Sequence, residues 1–284
     1  MRLVLDTNQV SKLVHAPSVG GRPNVVIPPL VWAEILLAPA CHHKERIRAI
    51  VECNVVFGMD VPDVYQRLCG LTEEEIRQFD PVFATDSDEH HRLVASFSAP
   101  RDALLARARE LKQGAAEGAK HLSDRLAHYR REDHIAKSKR EERNYERKFT
   151  DIDDADERFV SGDSAPFRTR FVQDVTDGGS RSIRASSKQS FYNAVLQNSQ
   201  FRRFLQLIIT FDLSYANHWA DDCLNRLDPS ENRNDFTDMT LPLYARDGDT
   251  VLTNDGFLRK AIRHVDPNGN VSLSTWDETL SRNA

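Results

Sequence analysis

No stretch of this 284-residue sequence approaches the ~20 consecutive apolar residues that a membrane-spanning helix requires. The amino terminus, MRLVLDTNQV, also lacks the longer apolar core of a secretory signal, so a cytoplasmic protein with no membrane contact is expected. Cysteine is scarce. Cys41, Cys53, Cys69 and Cys223 form no C-x-x-C pair and no secreted-domain spacing, which argues against both a zinc site and a disulfide framework. Three familiar motifs are missing as well: G-x-S-x-G, G-x-x-x-x-G-K-[ST] and G-x-G-x-x-G. Their absence leaves no nucleophile elbow, no P-loop and no dinucleotide fingerprint. Positive charge is not in excess either. A net charge of -5 argues against indiscriminate binding to nucleic acid, while leaving room for a local basic groove. No internal repeat is visible.

What is present describes a globular chain, with 40% hydrophobic and 29% charged residues and a length that allows one large domain or two ordinary ones. The segment RLVL at 2 to 5 reads as a short strand ending at Asp6, and NQVSKLV after it suits a helix. Asn24 to Ile27 is a second strand, and PPLVWAEILLA continues as a helix whose prolines fit its first turn. The β-branched run NVVFG at 54 to 58 is a third strand. After a long interval the alternation resumes: a helix from about Thr237 to Arg246, a strand TVLT at 250 to 253, a helix from about Gly256 to His264, and a strand VSLS at 271 to 274. Strands alternating with helices imply a parallel sheet sandwiched by helices.

Residues 61 to 212 interrupt this pattern with no convincing strand. From Arg101 to about Arg131 apolar residues recur at Leu104, Leu111, Ala115, Leu122, Leu126 and Tyr129, the spacing of an amphipathic helix or helical hairpin. KSKREERNYERK follows as a solvated helix or arm, and Phe191 to Phe211 returns to apolar helix. The simplest organisation is one α/β domain from 1–60 and 213–284, with an all-helical insertion at 61–212.

Four acids stand out within the α/β parts. Asp6 and Asp255 each follow a strand; if both strands lie parallel in one sheet, both side chains sit at the same edge. Asp238 opens the helix DMTLPLYA, with Asp235 one turn earlier, and Glu34 lies among apolar neighbours, where a lone carboxylate is costly to bury. Taken singly each has an ordinary reading: strand-end or helix caps for Asp6, Asp238 and Asp255, and an exposed helix position for Glu34. Taken together, acids converging at a sheet edge repel one another and demand a cation. Mg2+ or Mn2+ fits, as hard ions that bind carboxylate oxygen and activate water. Cys41, His42 and His43 are neighbours that point differently, and His90 and His91 invite the same scepticism as zinc ligands. DIDDADE at 151 to 157 mimics an EF-hand start, but Ala155 takes the third ligand position.

The LDTN motif at the end of the first strand, a helical Glu, a helix of the form D-x-x-L-x-x-Y-A and a strand followed by T-N-D resemble PIN-domain ribonucleases. The likeness covers roughly residues 1 to 58 and 213 to 275. It implies a PIN-like parallel sheet between helices, divalent metal, and endonucleolytic cleavage of RNA. By the same resemblance Asp6, Glu34, Asp238 and Asp255 form the catalytic and metal-binding set, with Asn8 or Thr253 as polar supports; Asp235 is a further candidate ligand by its spacing alone, which lets it share a face with Asp238. The large insertion departs from compact toxin-type members; a substrate lid, a dimer arm and a docking surface for an inhibitor protein are all open roles for it. Arg181, Arg184 and Lys188, before the Phe191 helix, and Arg259 and Lys260, after Asp255, are candidate contacts to RNA phosphates or else solvated surface. A non-cleaving nucleic-acid-binding or scaffolding protein is the alternative from another class. A phosphatase using Asp6 as nucleophile ranks last, because Asn8 stands where a D-x-D motif needs its second acid.

Overall fold

The computed structural model describes residues 1–10, 12–13, 24–38, 43–53, 55–98, 104–117, 120, 183–216 and 235–282. Five short parallel strands run through it: β1 (Arg2–Leu5), β2 (Asn24–Ile27), β3 (Val55–Phe57), β4 (Thr250–Leu252) and β5 (Ser272–Ser274). Their spatial order is β3-β2-β1-β4-β5. The chain therefore builds outward in one direction from β1 and then returns to build outward in the other. The reversal falls between β1 and β4, and the crevice beyond the carboxyl ends of such a pair is where open parallel sheets place ligands. The first four strands are buried runs of Val, Leu, Ile and Phe, as expected of a parallel sheet covered on both faces.

Twelve α-helices are described: α1 (Thr7–Val10), α2 (Pro29–Leu37), α3 (His43–Glu52), α4 (Val61–Cys69), α5 (Glu73–Gln78), α6 (Asp88–Ser98), α7 (104–117), α8 (Lys188–Gln197), α9 (Ser199–Ala216), α10 (Asp235–Thr240), α11 (Gly256–Val265) and α12 (Trp276–Arg282). They sandwich the sheet. α2 packs on α1 and α3, and α6 packs on α3 and β3, whereas α9 packs on α10, α11 and the 3-10 turn Leu241–Tyr244. Residues from α4 to α9 join the same apolar core as the strands, through Leu68, Phe97, Ala108, Phe191 and Phe201 among others.

Local chemistry explains where several elements begin and end. Asp60 caps α4 by accepting from the Asp63 N–H, and Thr72 with Glu75 forms a reciprocal capping box at α5. The single helix expected over 191–211 is two helices, because Asn198 breaks it. Its Nδ2 donates to the carbonyls of Ile76 (3.0 Å) and Phe79 (2.9 Å), while its Oδ1 accepts from the Gln200 N–H. The helix expected over 237–246 ends its α-helical part at Thr240 and tightens into the 3-10 turn at Leu241, one residue before Pro242. Gly58 is required for packing: a Cβ there would lie 2.5 Å from the buried Tyr244 ring, whose hydroxyl donates to the Met59 carbonyl.

At the amino ends of β1 and β4 lies an ion-pair network. Arg2 donates through its backbone N–H and Nε to Asp249 (2.7 and 2.8 Å) and through Nη1 to Asp80 (2.8 Å), which also receives Arg246. Asp249 is buried and further accepts from the Arg246 N–H. Opposite charges balance here.

Candidate functional site

The carboxyl ends of the same strands are different. The β1–β4 ladder continues past its last registered pair, Leu5 with Leu252, through a bond from the Asp6 N–H to the Leu252 carbonyl at 3.0 Å. Asp6 and Thr253 are thereby held side by side, and the buried Thr253 hydroxyl donates to Asp6 Oδ2 at 2.7 Å. Asn8 Nδ2 donates to the same oxygen at 2.6 Å. Asp6 is itself buried, and desolvation pushes its carboxyl above the usual range; the bonds from Thr253 and the Thr7 N–H oppose this, and repulsion from Glu34 and Asp255 adds to it. Glu34 and Asp255 are thus both within electrostatic reach of Asp6.

Glu34 sits on α2, where Pro29, Val31, Trp32, Ala33, Ile35 and Leu36 are all buried. Such a helix is apolar almost all round, so its carboxylate needs partners. Three hydrogen-bond donors surround it. The Thr7 hydroxyl donates to Oε2, and Oε1 accepts from Lys112 Nζ at 2.6 Å and from the Thr237 hydroxyl at 3.1 Å. Thr237 immediately precedes Asp238, which is buried in α10. Asp235 begins the same helix. Asp255 is the N-cap of α11: its Oδ1 accepts from the Leu258 N–H at 2.8 Å, and its own N–H donates to Thr253 Oγ1 at 2.9 Å. The cap reading and the sheet-edge reading of Asp255 are both true of the same side chain.

α7 of the inserted region lies over this edge. Arg107 pairs with Asp60, just beyond β3, and five residues later Lys112 reaches Glu34, beyond β2. Beside α7 the edge opens into a cleft of about 580 Å³ lined in part by Trp32, Asp60, Arg67, Phe83, Arg92 and Arg107. Thr7, Thr237 and Lys112 were not read from sequence as site residues. Nothing in the order of residues brings them together, since each meets Glu34 across at least 27 positions of chain.

The remaining candidates lie elsewhere or have ordinary partners. Arg184 contacts α4 and α5, through the Cys69 carbonyl and Glu75, and Lys188 is the exposed first residue of α8. Arg259 reaches Glu278 on α12 at 3.5 Å, and Lys260 is exposed. His90 is buried with its ring centroid 5.8 Å from Phe57, and burial lowers its pKa, with neighbouring His91 adding to the effect. Cys53 directs its thiol toward the Leu13 carbonyl and Cys69 is buried. Arg181, Cys41, His42, Cys223 and the DIDDADE stretch lie outside the described residues.

Among the described residues, no group of three or more His, Cys, Asp or Glu side chains is arranged to hold a metal ion. The chemistry of the donors at the sheet edge nevertheless suits a hard divalent cation, being carboxylate and hydroxyl oxygen with no thiol or imidazole among them. An ammonium already stands against Glu34 in that cluster. Comparison with known proteins finds no matching family model, no matching curated protein and no matching solved structure. Among the described residues no helix is long and apolar enough to cross a membrane.

Proposed function

We propose that the protein is a metal-dependent endoribonuclease of the PIN-domain type, hydrolysing RNA phosphodiester bonds at the carboxyl edge of the sheet. The observation that carries this reading is the meeting of Asp6, Glu34 and Asp255 at the β1–β4 switch point, with Asp6 buried against two like charges. Like-charged carboxylates gathered in partial burial are expensive even when hydrogen-bonded, and such perturbed groups cluster at functional sites. The resemblance in the order of the four acids points the same way.

In this reading Asp6, Asp238 and Asp255 hold a Mg2+ or Mn2+ ion, which supplies Lewis acidity and an activated water. Thr253 and Asn8 orient Asp6 by donating to one of its oxygens, so that the carboxylate is held in place and stays an acceptor. Asp255 is positioned by its cap bond to Leu258. Glu34 orients the attacking water or a second cation. Lys260, exposed on α11 five residues after Asp255, would meet an RNA backbone, whereas Arg259 is engaged by Glu278.

The alternative is a nucleic-acid-binding or scaffolding protein that does not cleave. The Lys112 ammonium seated on Glu34 favours it, since an internal cation already offsets part of the cluster. One experiment separates the two: cleavage of labelled single-stranded RNA with Mg2+ or Mn2+, with and without chelator, beside Asp6→Asn and Asp255→Asn. The nuclease reading expects metal-dependent cleavage that falls at least about a hundredfold in both variants, a loss of ~2.7 kcal/mol of transition-state stabilisation. Absence of cleavage across varied RNAs, with RNA still bound, selects the alternative.

A further inference from the structure

Helix α7 brings a single ammonium into a cluster of carboxylates. Lys112 Nζ lies 2.6 Å from Glu34 Oε1, with the lysine side chain 30% and the glutamate 16% exposed. A pair this sheltered is screened far less than one on the open surface.

Its placement is fixed by the rest of the helix. Leu104 and Ala108 are buried in the common core and Leu111 packs against it, one stripe at helical spacing. Arg107 anchors the first turn to Asp60, the buried cap of α4. With axis and rotation set by these contacts, Lys112 projects beside the stripe at the height of Glu34. Glu34 is equally constrained. Thr7, Thr237 and Lys112 occupy both of its oxygens, so this carboxylate is committed to donors of the protein itself. Asp6 and Asp255 are tied together through Thr253, whose hydroxyl donates to Asp6 Oδ2 at 2.7 Å and accepts the Asp255 N–H at 2.9 Å. When ionised, Asp6, Glu34, Asp255 and the buried Asp238 carry four negative charges; the Lys112 ammonium offsets one of them, at Glu34, and leaves the other three carboxylates to a divalent ion.

Resting on the metal-dependent reading above, we propose that Lys112 is a tethered cation of the acid site: the inserted region supplies it to Glu34 in place of a second metal, and the site takes a single divalent ion on the Asp6 and Asp255 side. The insertion then contributes a residue to the site itself, and Glu34 serves as the seat of the ammonium.

The test is calorimetric titration of the full chain with Mn2+, with folding of each variant checked by circular dichroism. The wild type is expected to bind one equivalent. Lys112→Met and Lys112→Gln, which keep the stem but remove the charge, are expected to bind two, the first at least about tenfold more tightly because a nearby positive charge is gone. Lys112→Arg is expected to stay at one. Glu34→Gln is expected to stay at one equivalent, bound more weakly because a neighbouring negative charge is gone; this arm stands even if the Lys112 variants do not fold. Identical isotherms for wild type, Lys112→Met and Lys112→Gln overturn the proposal, as does loss of the wild-type ion in Glu34→Gln. If the wild type binds no Mn2+ at all, the metal-dependent reading fails and this inference falls with it.

Discussion

The two ends of the parallel sheet carry charge in opposite ways. At the amino ends of β1 and β4, Arg2, Arg246, Asp80 and Asp249 alternate in sign and hydrogen-bond one another. At the carboxyl ends of the same two strands, Asp6 and Asp255 share a sign, Glu34 joins them, and the positive charge comes from Lys112 on α7. Each set combines buried members, Arg2 and Asp249 in one and Asp6 in the other, with partly exposed ones, so dielectric environment does not distinguish them. Pairing does: the first set matches two positive with two negative groups, whereas the second gathers like charges with one ammonium, at Glu34, set against them.

The largest expected effect comes from breaking the balanced end. Asp249→Ala leaves the buried Arg2 guanidinium with Asp80 alone and two backbone N–H groups without their acceptor, and it should cost about 3–5 kcal/mol in urea unfolding. At the acidic end the same measurement on Asp6→Asn should move stability by less than about 1 kcal/mol, in either direction, because the lost charge had like-charged neighbours. A result of 3 kcal/mol or more there would erase the contrast between the two ends.

Next in size is Gly58→Ala, just past the carboxyl end of β3. The added methyl meets the Tyr244 ring, and a loss of about 1–3 kcal/mol is expected, with a shifted aromatic circular dichroism signal as the second readout. Asp255 then offers an internal control. Asp255→Asn keeps the cap of α11 and should leave stability nearly unchanged, whereas Asp255→Ala should lose about 1 kcal/mol in thermal unfolding. Equal losses in both would mean that the negative charge stabilises the fold.

The smallest effect is a pH dependence at His90, packed on the last residue of β3. Burial lowers its folded-state pKa below the ordinary value, so in acid the unfolded chain takes up a proton that the folded chain resists. Its contribution to stability is therefore constant above about pH 6.5 and declines as pH falls from there toward the lowered folded value. His90→Gln should flatten that part of a stability-versus-pH profile.

The strands were legible because their signal is local. RLVL, NVV, VVF and TVL are β-branched or aliphatic runs, and the structure places each within a residue or so of its expected ends. That Asp6 and Asp255 follow strands was legible for the same reason. α4, α5 and α6 lie in the stretch read as all-helical, but their separate bounds were not drawn, although α5 announces itself with Thr72 and Glu75 at capping-box spacing. The break at Asn198 was not readable, because it depends on the carbonyls of Ile76 and Phe79, more than a hundred residues away. Lys112 is the same case at the site: its sequence neighbours mark the edge of an amphipathic stripe, and only the docking of α7 makes it a partner of Glu34.

The position of β4 has a consequence for the making of the protein. β1 is synthesised first, yet its neighbour on one side, β4, begins only at Thr250, and Thr253 and Asp255 follow it. At ~5–20 residues per second the nascent chain carries Asp6 for roughly 12–50 s before those partners exist. Throughout that interval the chain has no completed acid cluster. Emergence of β4 and the residues just after it is what brings the cluster together, so a chain halted on the ribosome short of residue 250 still lacks the Thr253 hydroxyl that holds Asp6 and the Asp255 carboxylate beside it.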